Sequence, residues 1–114
     1  MTTHVPEDVP TLIARREARS LALHVAAVAK IAAEPGLLNK ARAVLEGWAA
    51  RENPVSARTR AWQELLGRPW PEVASLIGEP SQVQLRKGSP IGVLLSEEER
   101  AAIFDRFAAQ SKVD

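Results

Sequence analysis

The longest apolar run in the chain, Leu21 to Ala33 (LALHVAAVAKIAA), limits the available folds more than any other stretch. Ala14, Ala18, Leu21, Val25, Val28 and Ala32 recur at intervals of four, three, four, three and four, which aligns them on one seam of a helix over Leu12 to Ala33. That seam is expected to face the core. From Leu21 onward the other faces are apolar as well, and only His24 and Lys30 interrupt them. A helix apolar nearly all round is a buried central helix or an oligomer seam. It is not a membrane span, because a span needs roughly 18 uninterrupted apolar residues. The many alanines let neighbouring helices approach closely, so tight packing is expected here rather than a ligand cavity.

A chain of 114 residues supports one core but not two. With 46% hydrophobic and 25% charged residues it reads as an ordinary soluble globular domain. There is no cysteine, which excludes disulfides, thiolate nucleophiles and cysteine-ligated zinc. The two histidines, His4 and His24, are too few and too far apart for a histidine metal site, so neither metal nor cofactor is expected. No secretory signal is visible, which predicts a cytoplasmic protein. Residues 1–68 carry ten Lys/Arg against seven Asp/Glu, and residues 69–114 carry five against seven. This mild asymmetry permits a basic face but falls short of the footprint of a dedicated nucleic-acid binder.

Residues 1–10 (MTTHVPEDVP) are polar, hold two prolines and read as a flexible arm. Asp8 or Thr11 is the expected N-cap of the first helix, which Pro35-Gly36 ends. A second helix over Leu37 to Arg51 presents Leu37, Ala41, Val44 and Trp48 as one stripe, flanked by Leu38 and Leu45. The short link predicts an αα-hairpin, with this helix packed on the first. Ser56 caps a third helix that carries Ala61, Trp62, Leu65 and Leu66 inward until Gly67. Pro71 to Ile77 forms a fourth, Ser81 to Lys87 adds one or two turns, and Ser89 to Leu95 packs as an extended apolar segment. Ser96 followed by Glu97, Glu98 and Glu99 is a capping box, opening a last helix that buries Ile103, Phe104, Phe107 and Ala108. The expected fold is all-α, a single helical bundle of about five helices over residues 11–110 with a buried Ala-rich first helix and a frayed end at 111–114.

Three clusters have chemical meaning. Arg15, Arg16 and Arg19, joined by His24, are the candidate partner-binding residues, since three arginines within a turn and a half grip phosphates or a partner's carboxylates. The competing reading is a solvated helix face with Glu17 as counter-charge, and a histidine hydrogen-bonded to Ser20 or Glu17. Glu72 to Gly88 is similar to a helix-turn-helix, in which Gln82, Gln84, Arg86 and Lys87 would contact DNA. Its turn is one residue shorter than the usual pattern, so a structural αα corner is the preferred reading. The acidic group Glu97 to Glu99 with Asp105 lacks metal-loop spacing and reads as a cap and a solvated face. Trp48, Trp62 and Trp70 lie on apolar stripes or at the proline corner and read as core. No phosphate-binding glycine loop, nucleophile elbow or zinc-binding helix is present.

The Arg-x-x-x-x-His spacing of Arg19 and His24 resembles the motif of the HEPN ribonucleases, small all-helical proteins that pair such residues across a dimer to cleave RNA. Five residues of helix separate the two side chains by about 140°, and that family carries its motif late in the domain. A broader resemblance runs through REARSLALH at residues 16–24, RAWQELL at 60–66 and SPIGVL at 89–94. Together these are similar to a family of small uncharacterised bacterial helical proteins that look like the antitoxin partner in toxin–antitoxin operons. The resemblance implies a non-enzymatic protein that neutralises a toxin-like protein partner by binding it, and that binds its own promoter DNA as a complex. A homodimer is expected as well.

Overall fold

The computed structural model describes residues 9–111, with side chains from 12 to 107. Six helices follow one another: α1 (Val9–Ala33), α2 (Leu37–Arg51), α3 (Ala57–Leu65), α4 (Trp70–Ile77), α5 (Val83–Arg86) and α6 (Glu97–Ser111), with a 3-10 turn at Gly92–Leu94 before the last. No strand occurs among the described residues. The fold is all-α, as expected.

One core gathers Ala27 and Ile31 of α1, Leu37, Ala41 and Leu45 of α2, Trp62, Leu65 and Leu66 of α3, Val73 and Ile77 of α4, and Ile103 of α6. Ile91, Leu94 and Leu95 complete it. The segment expected to be extended instead winds through the 3-10 turn, although it is packed as its apolar content requires.

Helix boundaries follow local chemistry. Ser56 caps α3 by accepting from the Thr59 amide at 3.1 Å, and Glu52 braces the same corner by accepting from the Ser56 amide at 2.9 Å and the Thr59 hydroxyl at 3.0 Å. These bonds hold the Glu52 carboxyl below its ordinary range, the Ser56 amide foremost. At the start of α6 the capping box closes in both directions: the Glu99 amide donates to Ser96 Oγ at 3.1 Å, and the Ser96 amide donates to Glu99 Oε1 at 2.8 Å. Thr11, the other expected cap, lies inside α1 rather than before it, while Asp8 lies outside the described residues. Val9 and Pro10, read from sequence as part of an arm, are already helical.

The facing of α1 differs from its heptad pattern. Its buried residues are His24, Ala27 and Ile31, with Ser20 half-buried above them, whereas Ala14, Ala18, Val25 and Ala32 are exposed. The true seam is displaced by one residue, a rotation of about 100°. The second correction concerns α2, which makes its main contacts with α3 and the 3-10 turn rather than along α1. Gly36 keeps right-handed helical dihedrals (φ −60°, ψ −18°), and the amides of Leu37, Leu38 and Asn39 bond three residues back. The link therefore continues in helical turns, and α1 and α2 do not pack along one another as a hairpin would require. Within α3, Ala61 is exposed and Thr59 is buried in its place.

Candidate functional site

α1 and α6 run antiparallel. Lys30 near the end of α1 meets Glu99 at the start of α6 at 2.6 Å, and it also donates to the Leu94 carbonyl at 3.0 Å. Further along, the Arg19 guanidinium stacks over the Phe104 ring, 5.0 Å from its centroid. Little of either helix is buried here: among the described side chains of α1 none before His24 is buried, and on α6 Ile103 is buried while Phe107 is half-buried against the core. Phe104, expected in the core, is instead 38% exposed, while Leu12 and Ile13 are 43% and 46% exposed. Ile103 and Phe107 lie four apart on one helix face, and Phe104 is turned about 100° from Ile103, toward α1's arginines.

Between these helix ends lies a cleft of about 580 Å³ lined by Leu12, Arg15, Arg16, Arg19, Phe104, Asp105 and Phe107. Among the described residues its lining combines three arginines and one carboxylate with Leu12 and two phenylalanines. The candidate arginines thus line one cleft with Phe104, Asp105 and Phe107 of α6. Phe104, expected in the core, is exposed, whereas Phe107 is half-buried against the core and Asp105 is exposed, both as the sequence predicts. A second aromatic standing beside, rather than on, the α6 stripe was the available signal.

His24 does not join them. It is buried, with Nδ1 2.7 Å from the Ser20 backbone carbonyl, so Nδ1 carries the proton and donates while Nε2 is an acceptor. Nε2 is enclosed without a hydrogen-bond partner, close to Gly92. Burial, reinforced by the nearby Arg86 and Arg100, pushes the imidazole pKa down despite the Ser20 bond. Arg19 is exposed and directed at Phe104, so Arg19 and His24 are not gathered at one ribonuclease-like site within the chain.

The DNA-contacting set is dispersed too. Arg86 is buried, and its guanidinium donates to three carbonyls: Nη1 to Ile77 at 3.1 Å and Glu79 at 2.7 Å, Nη2 to Pro80 at 3.0 Å. It closes the C-terminal end of α4, where a cation also meets the negative pole of the helix. Gln82 is half-buried, and only Gln84 and Lys87 are exposed. With α5 four residues long and tied to α3 through Trp62 Nε1 donating to the Leu85 carbonyl at 2.9 Å, residues 72–88 form a structural corner.

A second cleft of about 560 Å³ is lined by Trp48, Glu52, Ser56, Arg58, Thr59 and Gly88, but its carboxylate and hydroxyls are engaged in the α3 cap described above. Gly88 has φ +71°, and a Cβ there would run into the Arg58 side chain, so this wall requires glycine. Among the described residues no group of three or more acidic, histidine or cysteine side chains is arranged to hold a metal. No helix among them is long and apolar enough to cross a membrane.

Comparison with protein families, curated proteins and solved structures finds no match. The candidate site therefore rests on geometry and chemistry alone.

Proposed function

We propose that this chain is a non-enzymatic regulatory module that works by binding another protein, and that the cleft between the first half of α1 and the second half of α6 is its docking surface. The observation that carries this reading is the gathering of Arg15, Arg16 and Arg19 beside exposed Leu12 and Phe104 on two helix ends that contribute little to the core. Arginine and aromatic side chains are enriched where proteins bind proteins. The antitoxin-like role implied by the sequence resemblance is the specific form we favour, with a toxin-like protein neutralised by occupancy of this surface. Promoter binding by the resulting complex and homodimerisation belong to the same proposal. A DNA-binding role of residues 72–88 on their own is disfavoured by the engagement of Arg86 with three carbonyls.

The test is co-purification from the source cells of tagged wild-type chain beside Phe104→Glu, which alters an exposed side chain. The reading expects one stoichiometric protein partner with the wild type, toxic when produced alone, and its loss with Phe104→Glu. A partner retained equally by both would contradict it.

A further inference from the structure

Resting on the reading just given, we infer the chemistry of the partner segment: an acidic amphipathic helix, with carboxylates one turn apart on one edge and apolar side chains beside them. The cleft is walled by two antiparallel helices, and the regular filling for such a groove is a third helix laid along it. Extended-strand recognition needs a free sheet edge, and there is no sheet among the described residues.

Spacing sets the rest of the description. Arg15 and Arg16 lie one turn before Arg19, and Leu12 lies a turn before Arg15 and Arg16. Side chains three or four apart on a helix stand about 5–6 Å from one another, so the cationic rim repeats at the pitch of a helix running alongside. Carboxylates at i and i+4 of the occupant meet successive guanidiniums, which bind carboxylates through a planar fork. The apolar edge of the occupant covers Leu12, Phe104 and Phe107. Arg19, already stacked on Phe104, is held in place before binding, and stacking through its planar face leaves a guanidinium able to donate from its edge to a carboxylate. Leu12 to Arg19 spans about 10 Å of helix, so the contact takes in about two turns of the occupant. Among the described residues Asp105 is the one carboxylate lining the cleft, and it selects against cationic residues only weakly beside three arginines. The concave form also favours a helix over a lipid surface, which is met by protruding apolar side chains rather than a groove.

The experiment titrates the full chain into two labelled amphipathic peptides that differ only in Glu or Lys at every fourth position beside a leucine face, followed by fluorescence anisotropy. The Glu peptide is expected to bind about tenfold or more tightly than its Lys twin, with an advantage that shrinks as salt is raised. Arg15→Glu with Arg19→Glu should reverse the preference, and Arg15→Lys with Arg19→Lys should retain its sign. Both pairs alter exposed side chains, and an unchanged helical circular dichroism spectrum and melting point verify the fold. Equal affinity for the two peptides, or a preference untouched by charge reversal, would overturn the inference. Displacement of the Glu peptide by anionic phospholipid vesicles would overturn it in favour of a membrane occupant. So would self-association that Phe104→Glu abolishes and the peptide cannot displace, which would make a second copy the occupant. If these peptides fail while Phe104→Glu still abolishes capture of the cellular partner, the acidic-helix inference falls alone and the docking surface stands.

Discussion

Arg86 carries a charge into the interior at the point where α4 ends, and its environment makes that tolerable. Three carbonyls accept from the guanidinium; removing it takes that donor from the buried Ile77 and from Pro80, while Glu79 keeps the Gln82 amide, and a buried polar group left unpaired costs more than an average hydrogen bond contributes. Arg86→Ala is expected to destabilise the fold by about 3 kcal/mol, lowering the melting temperature on the order of 10 °C. An unchanged thermal melt would contradict the role assigned here. His24 is the complementary case of a buried group kept neutral. Its folded pKa lies below the ordinary 6.5 because burial penalises the charged ring, so the unfolded chain takes up the proton first as pH falls. The contribution to stability is full above 6.5 and declines as pH drops below it toward the folded value. The urea midpoint should fall between about pH 7.5 and about pH 5.5, and His24→Leu should flatten that part of the profile. A slope that survives the substitution would assign the titration elsewhere.

The elements divide into those fixed by local chemistry and those fixed by their surroundings. Ser96 and Glu99 satisfy each other's amides at the start of α6, and Ser96→Ala should cost about 1 kcal/mol of stability by denaturant titration; no loss would mean that solvent replaces the cap fully. Glu99 does a second job by receiving Lys30. That ion-paired hydrogen bond, followed by the Ser96 amide, pulls its carboxyl from 4.5 to about 2. The stabilisation is present above about pH 4.5 and is lost as pH falls through about 2, well separated from the His24 window. Both serine caps were legible in sequence because they depend on residues within one turn. The facing of α1 was not legible, since a helix apolar nearly all round has no polar face to exclude alternatives. Its one interior polar residue, His24, counted against the face that is in fact buried. Arg86 misled in the opposite direction, because a cation at the end of a short amphipathic stretch reads as exposed unless three carbonyls are known to converge on it.

At the scale of the molecule, a buried core is joined to an α1–α6 projection whose described side chains are mostly exposed. The Cα radius of gyration is 16.4 Å and the longest dimension 57 Å, against about 13 Å for the radius of a compact chain of this length. The single core and the all-helical class followed from composition and periodicity. The projection did not, because it depends on how far α1 and α6 extend together past Arg19 and Phe104, a tertiary relation between residues far apart in sequence. The proposed docking function draws on the same geometry, in which Leu12, Arg16, Arg19 and Phe104 are exposed outside the core. The most direct test is amide hydrogen exchange along the chain, alone and with the protein partner captured from the source cells. In the free chain, residues 12–19 and 104–107 should exchange faster than Ala27 to Ile31, and partner binding should slow exchange chiefly in those two segments. Protection concentrated instead in residues 82–88, or no protection of the first half of α1, would contradict the account.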